Sequence, residues 1–332
     1  MLKIGIMGTG HMAQKMAVTV QKMRLSGYRE AILSAVSSRE KEKAEKFAAR
    51  FEIPNAYGSY ERMLSGSETE LAYVATPLAC HDFHVRMCLE NGKHVLCEKP
   101  MAVSQAQAER MFALAEERRL FAAEAMWTRY MPMRRIIRDA VWSGKAGEPV
   151  SLSASLCYSV SHKKRLVDMS LAGGALMEVG VYPLHFSDMV FGQPKVRAVV
   201  PQQEGGGPDL LEAFILQHEG GQLSVLSSGI ACTQGRTGTV GCRDGYYLAD
   251  NINNPMKLEV YDSSHRCREV LKAPPQITGL EYEVMEAADA INRQKTEPAS
   301  MSHADTLRML GVLDIIRQKM NLKYPCEEQG EQ

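Results

Sequence analysis

Short apolar runs alternate with amphipathic stretches through the first third of the chain. Residues 3–7, 31–37, 71–75, 94–97 and 120–123 are compact and apolar, the pattern of strands covered on both faces. Between them, residues 11–25, 39–51, 81–91 and 104–119 repeat apolar positions at helical spacing. Strand and helix in turn predict a parallel, doubly wound α/β sheet. The pattern then changes: 133–143 predicts a helix, 151–160 a long alternating strand and 173–191 another helix. Alternating segments recur at 195–200, 213–217, 222–228, 237–242, 246–248, 257–261 and 269–271, separated by turn residues such as Asp244-Gly245. They predict a large, mainly antiparallel open sheet with one face on helices. Helices over 279–293 and 302–320 close this second, α+β domain, and the tail after Pro325 reads as disordered. The expected division is 1–123 and 124–332.

The turn after the first strand, Gly8-Thr9-Gly10-His11-Met12-Ala13, has the G-x-G-x-x-A form. Gly8 suits the tight turn, Gly10 lets backbone approach a pyrophosphate, and Ala13 lets the helix pack on the strand. The motif lies between a strand and a helix, the context it needs, and predicts that residues 1–123 bind a dinucleotide. At the end of the second strand, a cofactor with a free ribose hydroxyl meets an Asp or Glu. This chain has Ser37-Ser38-Arg39 there, with Lys43 a turn later. Small hydroxyls and a guanidinium suit a 2′-phosphate, so NADP is expected over NAD.

Two further stretches share that sheet edge, and Thr76, Pro77, His81, Glu98 and Lys99 in them are expected as cofactor contacts. Thr76-Pro77, followed by His81, ends the third of these strands, and Glu98-Lys99-Pro100 ends the fourth. Pro100 restricts the backbone on both sides of its peptide bond, so Lys99 is held on a stiff support. A lone Glu-Lys-Pro would be a solvated turn, but the glycine turn places this one on the edge where a nicotinamide would lie. In the second domain Glu178, Tyr182 and His185 are spaced to project from one helix face. A carboxylate, a phenol and an imidazole on one face are poorly explained as core, and a catalytic role is expected for them with Lys99.

Composition narrows the field. The 332 residues are 45% hydrophobic and 23% charged, and Lys plus Arg equals Asp plus Glu. No basic field exists to draw nucleic acid or an anionic membrane, and no apolar run approaches the roughly 20 residues of a span. The start of the chain reads as a strand rather than a signal peptide. Eight scattered cysteines, without a Cys-x-x-Cys pair, predict thiols in a reducing compartment, the cytoplasm. Cys80, His81, His84 and Cys88 have metal-like residue types, but ligands four and eight apart on one straight helix do not converge, so no metal is expected.

With these residues in place the chain resembles the glucose–fructose oxidoreductase / inositol dehydrogenase (Gfo/Idh/MocA) family over nearly its whole length. The resemblance rests on the glycine turn, Ala75-Thr76-Pro77 with His81, residues 92–100, Trp127-Thr128-Arg129, Arg165-Leu166, and residues 173–182. The Trp-Thr-Arg segment and the last run look most like the branch containing dimeric dihydrodiol dehydrogenase. The resemblance implies a Rossmann domain followed by a substrate-binding and oligomerisation domain, pairing as a homodimer or higher homo-oligomer through its open sheet. It implies hydride transfer between a nicotinamide and a secondary alcohol or carbonyl of a sugar, cyclic polyol or dihydrodiol. Lys99 is then the residue beside the reacting oxygen and Tyr182 the acid/base candidate, while Trp127, Arg129 and Arg165 line the substrate side. Two departures stand out: Glu178 replaces the usual aspartate, and Leu78 follows Thr-Pro where asparagine is common. The extra methylene shifts the carboxylate by more than about an ångström, enough to change substrate geometry. Rival readings are a cofactor-binding regulator without chemistry and a glycosidase using transient hydride transfer.

Overall fold

The computed structural model describes residues 1–203 and 205–328. It divides into two compact units, residues 1–130 with 276–307, and residues 131–275 with 308–332.

In the first unit, strands β1 (Leu2–Met7), β2 (Ala31–Ser37), β3 (Asn55–Tyr57), β4 (Leu71–Val74), β5 (His94–Glu98) and β6 (Ala122–Ala125) form one sheet. Its order is β3-β2-β1-β4-β5-β6 and every pairing is parallel. The order reverses direction between β1 and β4, the switch point beside which such sheets bind ligands. Helices α1 (His11–Leu25), α2 (Lys41–Arg50), α3 (Tyr60–Gly66), α4 (His81–Glu90) and α5 (Gln105–Arg118) connect the strands. The short β3 and α3 have no counterpart in the hydrophobic pattern, because three half-exposed residues and a seven-residue helix are too brief to show a period.

Residues 276–307 fall in this unit rather than in the second domain, where the expected 123/124 division puts them. The reason is a missing cover. Helix α8 (Glu281–Asn292) buries Leu280, Val284, Ala287, Ala288 and Ala290 in the core built from Met16, Val20, Leu33 and Phe47. Burial of this kind stabilises by roughly 25 cal/mol per Å² of apolar surface.

The second unit holds an eight-stranded sheet, ordered β14-β13-β12-β11-β7-β10-β9-β8. One inner pair, β7 (Pro149–Cys157) and β10 (Leu223–Gly229), is parallel, and the other pairings are antiparallel. Strands β8 (Pro194–Gln203) and β9 (Asp209–His218) form one edge hairpin, and β11 (Gly238–Cys242), β12 (Gly245–Ala249), β13 (Lys257–Asp262) and β14 (Cys267–Lys272) continue on the other side. Helix α6 (Pro132–Val141) matches the sequence pattern, as do most strands to within a few residues.

The stretch expected as one helix over 173–191 is not uniform. It opens as a glycine loop, makes a π-helical turn over Leu176–Gly180, and becomes α-helical only at α7 (Val181–Phe191). Helix α9 (His303–Met320) carries the boundary between the units within it, and Pro325–Glu328 is a short helix where disorder is expected. The remainder of that expectation, 329–332, lies outside the described residues. No helix among the described residues is long and apolar enough to cross a membrane.

Candidate active site

The parallel register puts the ends of β1, β4 and β5 side by side: Met7 pairs with Val74, and Val74 with Cys97. Three turns therefore leave one sheet edge together, at Gly8, Thr76 and Lys99. Gly8 has φ +107°, and a Cβ there would come within 2.7 Å of the Ala75 carbonyl oxygen. The first and second of these turns thus pack backbone on backbone. Gly10 is exposed, has open space where a Cβ would stand, and begins α1 without a side-chain cap or an acidic residue in the first turn. Uncapped amides at an open helix start form a cradle for a phosphate, which fits a dinucleotide pyrophosphate. His11 is exposed, Thr9 half-buried, and Met12 packs on the core, so only its backbone is offered.

The residues expected around the adenosine ribose divide. Ser37 is fully buried, and its hydroxyl donates to the Ile6 carbonyl at 3.4 Å, which makes it a sheet residue rather than a cofactor contact. The Ser38 hydroxyl accepts the Glu40 amide at 3.3 Å, shaping the turn. Lys43 is held by Glu40 at 2.6 Å, so its charge is already answered locally. Arg39 is exposed, and its guanidinium acts electrostatically on Tyr60, Cys80 and His84.

The Thr76 turn is braced by two histidines. The Thr76 hydroxyl lies 2.9 Å from His84 Nδ1, and burial lowers the His84 pKa to about 4. His81 is 1% exposed, with Nε2 2.9 Å from the Thr76 carbonyl and Nδ1 2.9 Å from the Pro100 carbonyl. Both partners are acceptors, and a neutral ring has one N–H to give. The two carbonyls favour the imidazolium, but burial is the stronger influence and the pKa is depressed. These rings serve the backbone. Among the described residues no group of three or more His, Cys, Asp or Glu is arranged to hold a metal ion.

At the end of β5 the Glu98 carboxylate is buried and accepts a hydrogen bond from the Tyr73 hydroxyl. The peptide joining Lys99 to Pro100 is cis, and Lys99 is half-buried. Beneath this turn sits Glu124 on β6, 3% exposed, accepting the Met101 amide at 3.2 Å and the Thr306 hydroxyl at 3.1 Å. Burial pushes its pKa up to about 7, against the opposing pull of those bonds and of the Arg129 and Lys99 charges. Glu283 on α8 is wholly buried near Glu98, and its pKa is also driven upward by burial. Sequence reasoning missed both carboxyls. Glu283 falls on the apolar face of α8, between Leu280 and Ala287, and that misplacement was the available signal.

Trp127 and Arg129 form a short 3-10 turn after β6. Trp127 is half-buried under a cation–π contact from Lys15 at 5.8 Å. Arg129 is 2% exposed and paired with Asp305 at 3.3 Å, so it braces the first unit instead of lining a substrate surface as expected.

In the second unit Glu178 lies in the π-turn and Tyr182 in the first turn of α7, both half-buried; the residues from 172 to 188 are otherwise buried. His185 is among those buried, 3% exposed. The accessible pair is therefore a carboxylate and a phenol, not the expected three. Arg165 reaches Glu178 at 3.3 Å across a 58% exposed guanidinium, which places the basic loop beside the carboxylate.

Two family models match the chain in succession. The "Oxidoreductase family, NAD-binding Rossmann fold" model matches residues 2–124, and the "GFO/IDH/MocA C-terminal domain" model matches residues 135–248. The chain belongs to the Gfo/Idh/MocA oxidoreductase family. It is an NAD(P)-dependent oxidoreductase acting on CH–OH groups. Trans-1,2-dihydrobenzene-1,2-diol dehydrogenases are 30% identical in Sus scrofa and 29% in Bos taurus, each over 98% of this chain and 99% of the relative. Among solved structures, the 3-ketoreductase KijD10 of Actinomadura kijaniata superposes with TM-score 0.86 at 22% identity, covering 96% of this chain and 97% of that one. The aldose-aldose oxidoreductase of Caulobacter crescentus gives 0.84 at 21%, with the same coverage.

Proposed function

We propose that this chain oxidises a secondary hydroxyl, or reduces the matching carbonyl, of a dihydrodiol, cyclic polyol or sugar, with Lys99 on the reacting oxygen. The observation that carries this reading is the placement of Lys99: half-buried, at the end of β5, one strand from the Thr76 turn and two from the open Gly8–Gly10 cradle. When bound, a nicotinamide cofactor supplies or accepts the hydride. The chain's own work is to bind, orient and move a proton. Backbone amides at the start of α1 hold the pyrophosphate. Arg39 takes the 2′-phosphate, which favours NADP, and KijD10 has been solved with NADP. The Lys99 ammonium hydrogen-bonds the substrate oxygen, and the Tyr182 hydroxyl gives or takes its proton. Glu178, with Arg165 against it, binds a neighbouring hydroxyl. The full-length dihydrodiol dehydrogenase relatives favour a diol on a six-membered ring.

The protein works as a homodimer through the open face of its second sheet. Val225 stands opposite Ile215, beside Leu223 and Val200, and these four apolar side chains are 42–68% exposed. A patch of that kind on a sheet marks an association surface. The eight cysteines are all thiols, which fits the reducing cytoplasm.

The decisive variant is Lys99→Met. Cofactor binding, read by fluorescence titration, should stay within about threefold, while single-turnover hydride transfer falls by about a hundredfold or more. Turnover at the wild-type rate would end this assignment.

A further inference from the structure

Strand β9 carries two acidic residues in its buried register. Asp209 and Glu212 are 0% and 1% exposed, and Glu212 shares its face with Phe214, Leu216 and His218. Each carboxyl has one oxygen answered by a donor. Asp209 Oδ2 accepts the Leu176 amide at 2.6 Å, and Glu212 Oε1 accepts the Ser228 hydroxyl. The other oxygen of each, Asp209 Oδ1 and Glu212 Oε2, is buried without a donor. The two carboxyls interact directly; both cannot ionise in such a place, whereas one proton held between them serves both.

This pair touches both ends of the π-turn. A Cβ on Gly174, whose φ is +139°, would collide with Asp209 Oδ1. A Cβ on Gly180 would stand 3.0 Å from Glu212 Oε1 and 2.9 Å from Ser228 Oγ. The glycines that bracket Leu176–Gly180 are there because the carboxyls occupy the space of side chains. Between them lies Glu178, and two residues beyond lies Tyr182.

We propose that Asp209 and Glu212 form a proton-sharing pair that sets the Leu176–Gly180 turn, and through it positions Glu178 and Tyr182. They are positioning residues, and the inference rests on the reading that Glu178 and Tyr182 meet the substrate. Holding the turn needs an acceptor for the helix amides at Asp209 and a donor toward it from Glu212. Loss of the shared proton leaves two buried anions against each other and loosens the turn. The surrounding groups are Ser228 on β10, Cys157 on β7, and Tyr324 with Arg317 and Glu327 from the C-terminal segment. Glu178 on the turn itself faces Arg165. Burial and the neighbouring carboxyl drive Glu212 well above the ordinary carboxylate range, so the proton is retained through neutrality.

Glu212→Gln tests this, because an amide donates to Asp209 at every pH. In the wild type, both kcat and thermal stability should fall on the alkaline side as the shared proton leaves. In Glu212→Gln both alkaline limbs should shift up by about one pH unit or vanish. Asp209→Ala removes the amide acceptor and should lower kcat about tenfold or more while cofactor affinity holds. Wild-type pH profiles in Glu212→Gln, for activity and for stability alike, would overturn the proposal. If Glu212→Gln does not fold, the same profiles are read on Asp209→Asn, which also abolishes the pair of anions. Tyr182→Phe separates the two claims. If it retains full kcat, the functional reading fails, while the pH dependence of stability in Glu212→Gln still reports whether the proton is shared.

Discussion

The His81 ring ties the ends of two neighbouring strands together, with Nδ1 2.9 Å from the Pro100 carbonyl oxygen and Nε2 2.9 Å from that of Thr76. Pro100 follows Lys99 directly, so the ring fixes the backbone that carries the amine. His81 was expected as a cofactor contact; buried to 1%, it acts on the chain instead.

His81→Ala should therefore damage catalysis through geometry. Two buried carbonyls lose a shared donor, costing about 1–3 kcal/mol of stability. A turn misplaced by about an ångström costs up to roughly a hundredfold in rate. We expect kcat to drop by tenfold or more, about in that range, with cofactor affinity changed far less. Steady-state kinetics beside a cofactor titration reads the difference, and an equal loss in both would return His81 to the cofactor.

The phosphate preference should reside in Arg39 and not in Lys43, whose ammonium Glu40 already holds at 2.6 Å. Arg39→Ala should lower kcat/KM for NADP by about ten- to a hundredfold and leave NAD nearly untouched. Lys43→Ala should change the ratio by less than about threefold. The ratio of kcat/KM for the two cofactors is the measurement, and a wild-type preference for NAD would sink the assignment.

Glu124 makes a pH prediction with a definite sign. Its carboxyl pKa is raised by burial from the ordinary range to about 7. The folded state therefore binds its proton more tightly than the unfolded chain does. That stabilisation is complete below about pH 4.5 and is lost as pH rises through 7. Glu124→Gln, which cannot ionise, should flatten this part of the profile by on the order of 3 kcal/mol between pH 4.5 and 8. Urea melts of both proteins across that range test it. Parallel profiles would show that Glu124 is ionised throughout.

The sheet face should control association. Val225→Arg with Ile215→Lys places two charges on the directly paired positions of β10 and β9. The homodimer should become monomeric by light scattering while circular dichroism is unchanged. A wild-type monomer at micromolar concentration would refute the dimer outright.

Much of this protein was legible in the order of its residues. The alternation of apolar runs and amphipathic stretches predicts the parallel sheet, and the boundaries of α1 and β2 match it to the residue. The glycine turn, Thr76 and Lys99 could be placed on one edge because parallel strands all end on the same side. Local patterns carry such information, since period and turn chemistry depend on near neighbours. What residues far apart in sequence do to one another was not legible. Nothing near Ser37, Arg129 or His185 announces that each is buried. Nothing in the 276–307 segment says that its apolar face closes the core of the first unit. The π-turn at Leu176–Gly180 likewise depends on Asp209 and Glu212, more than 30 residues away, meeting its glycines. Lys99 stands at the strand end its motif suggests, but the carboxyls around it and the imidazole that holds its turn came into view only with the folded chain, because burial and pairing are properties of the packing and not of the string.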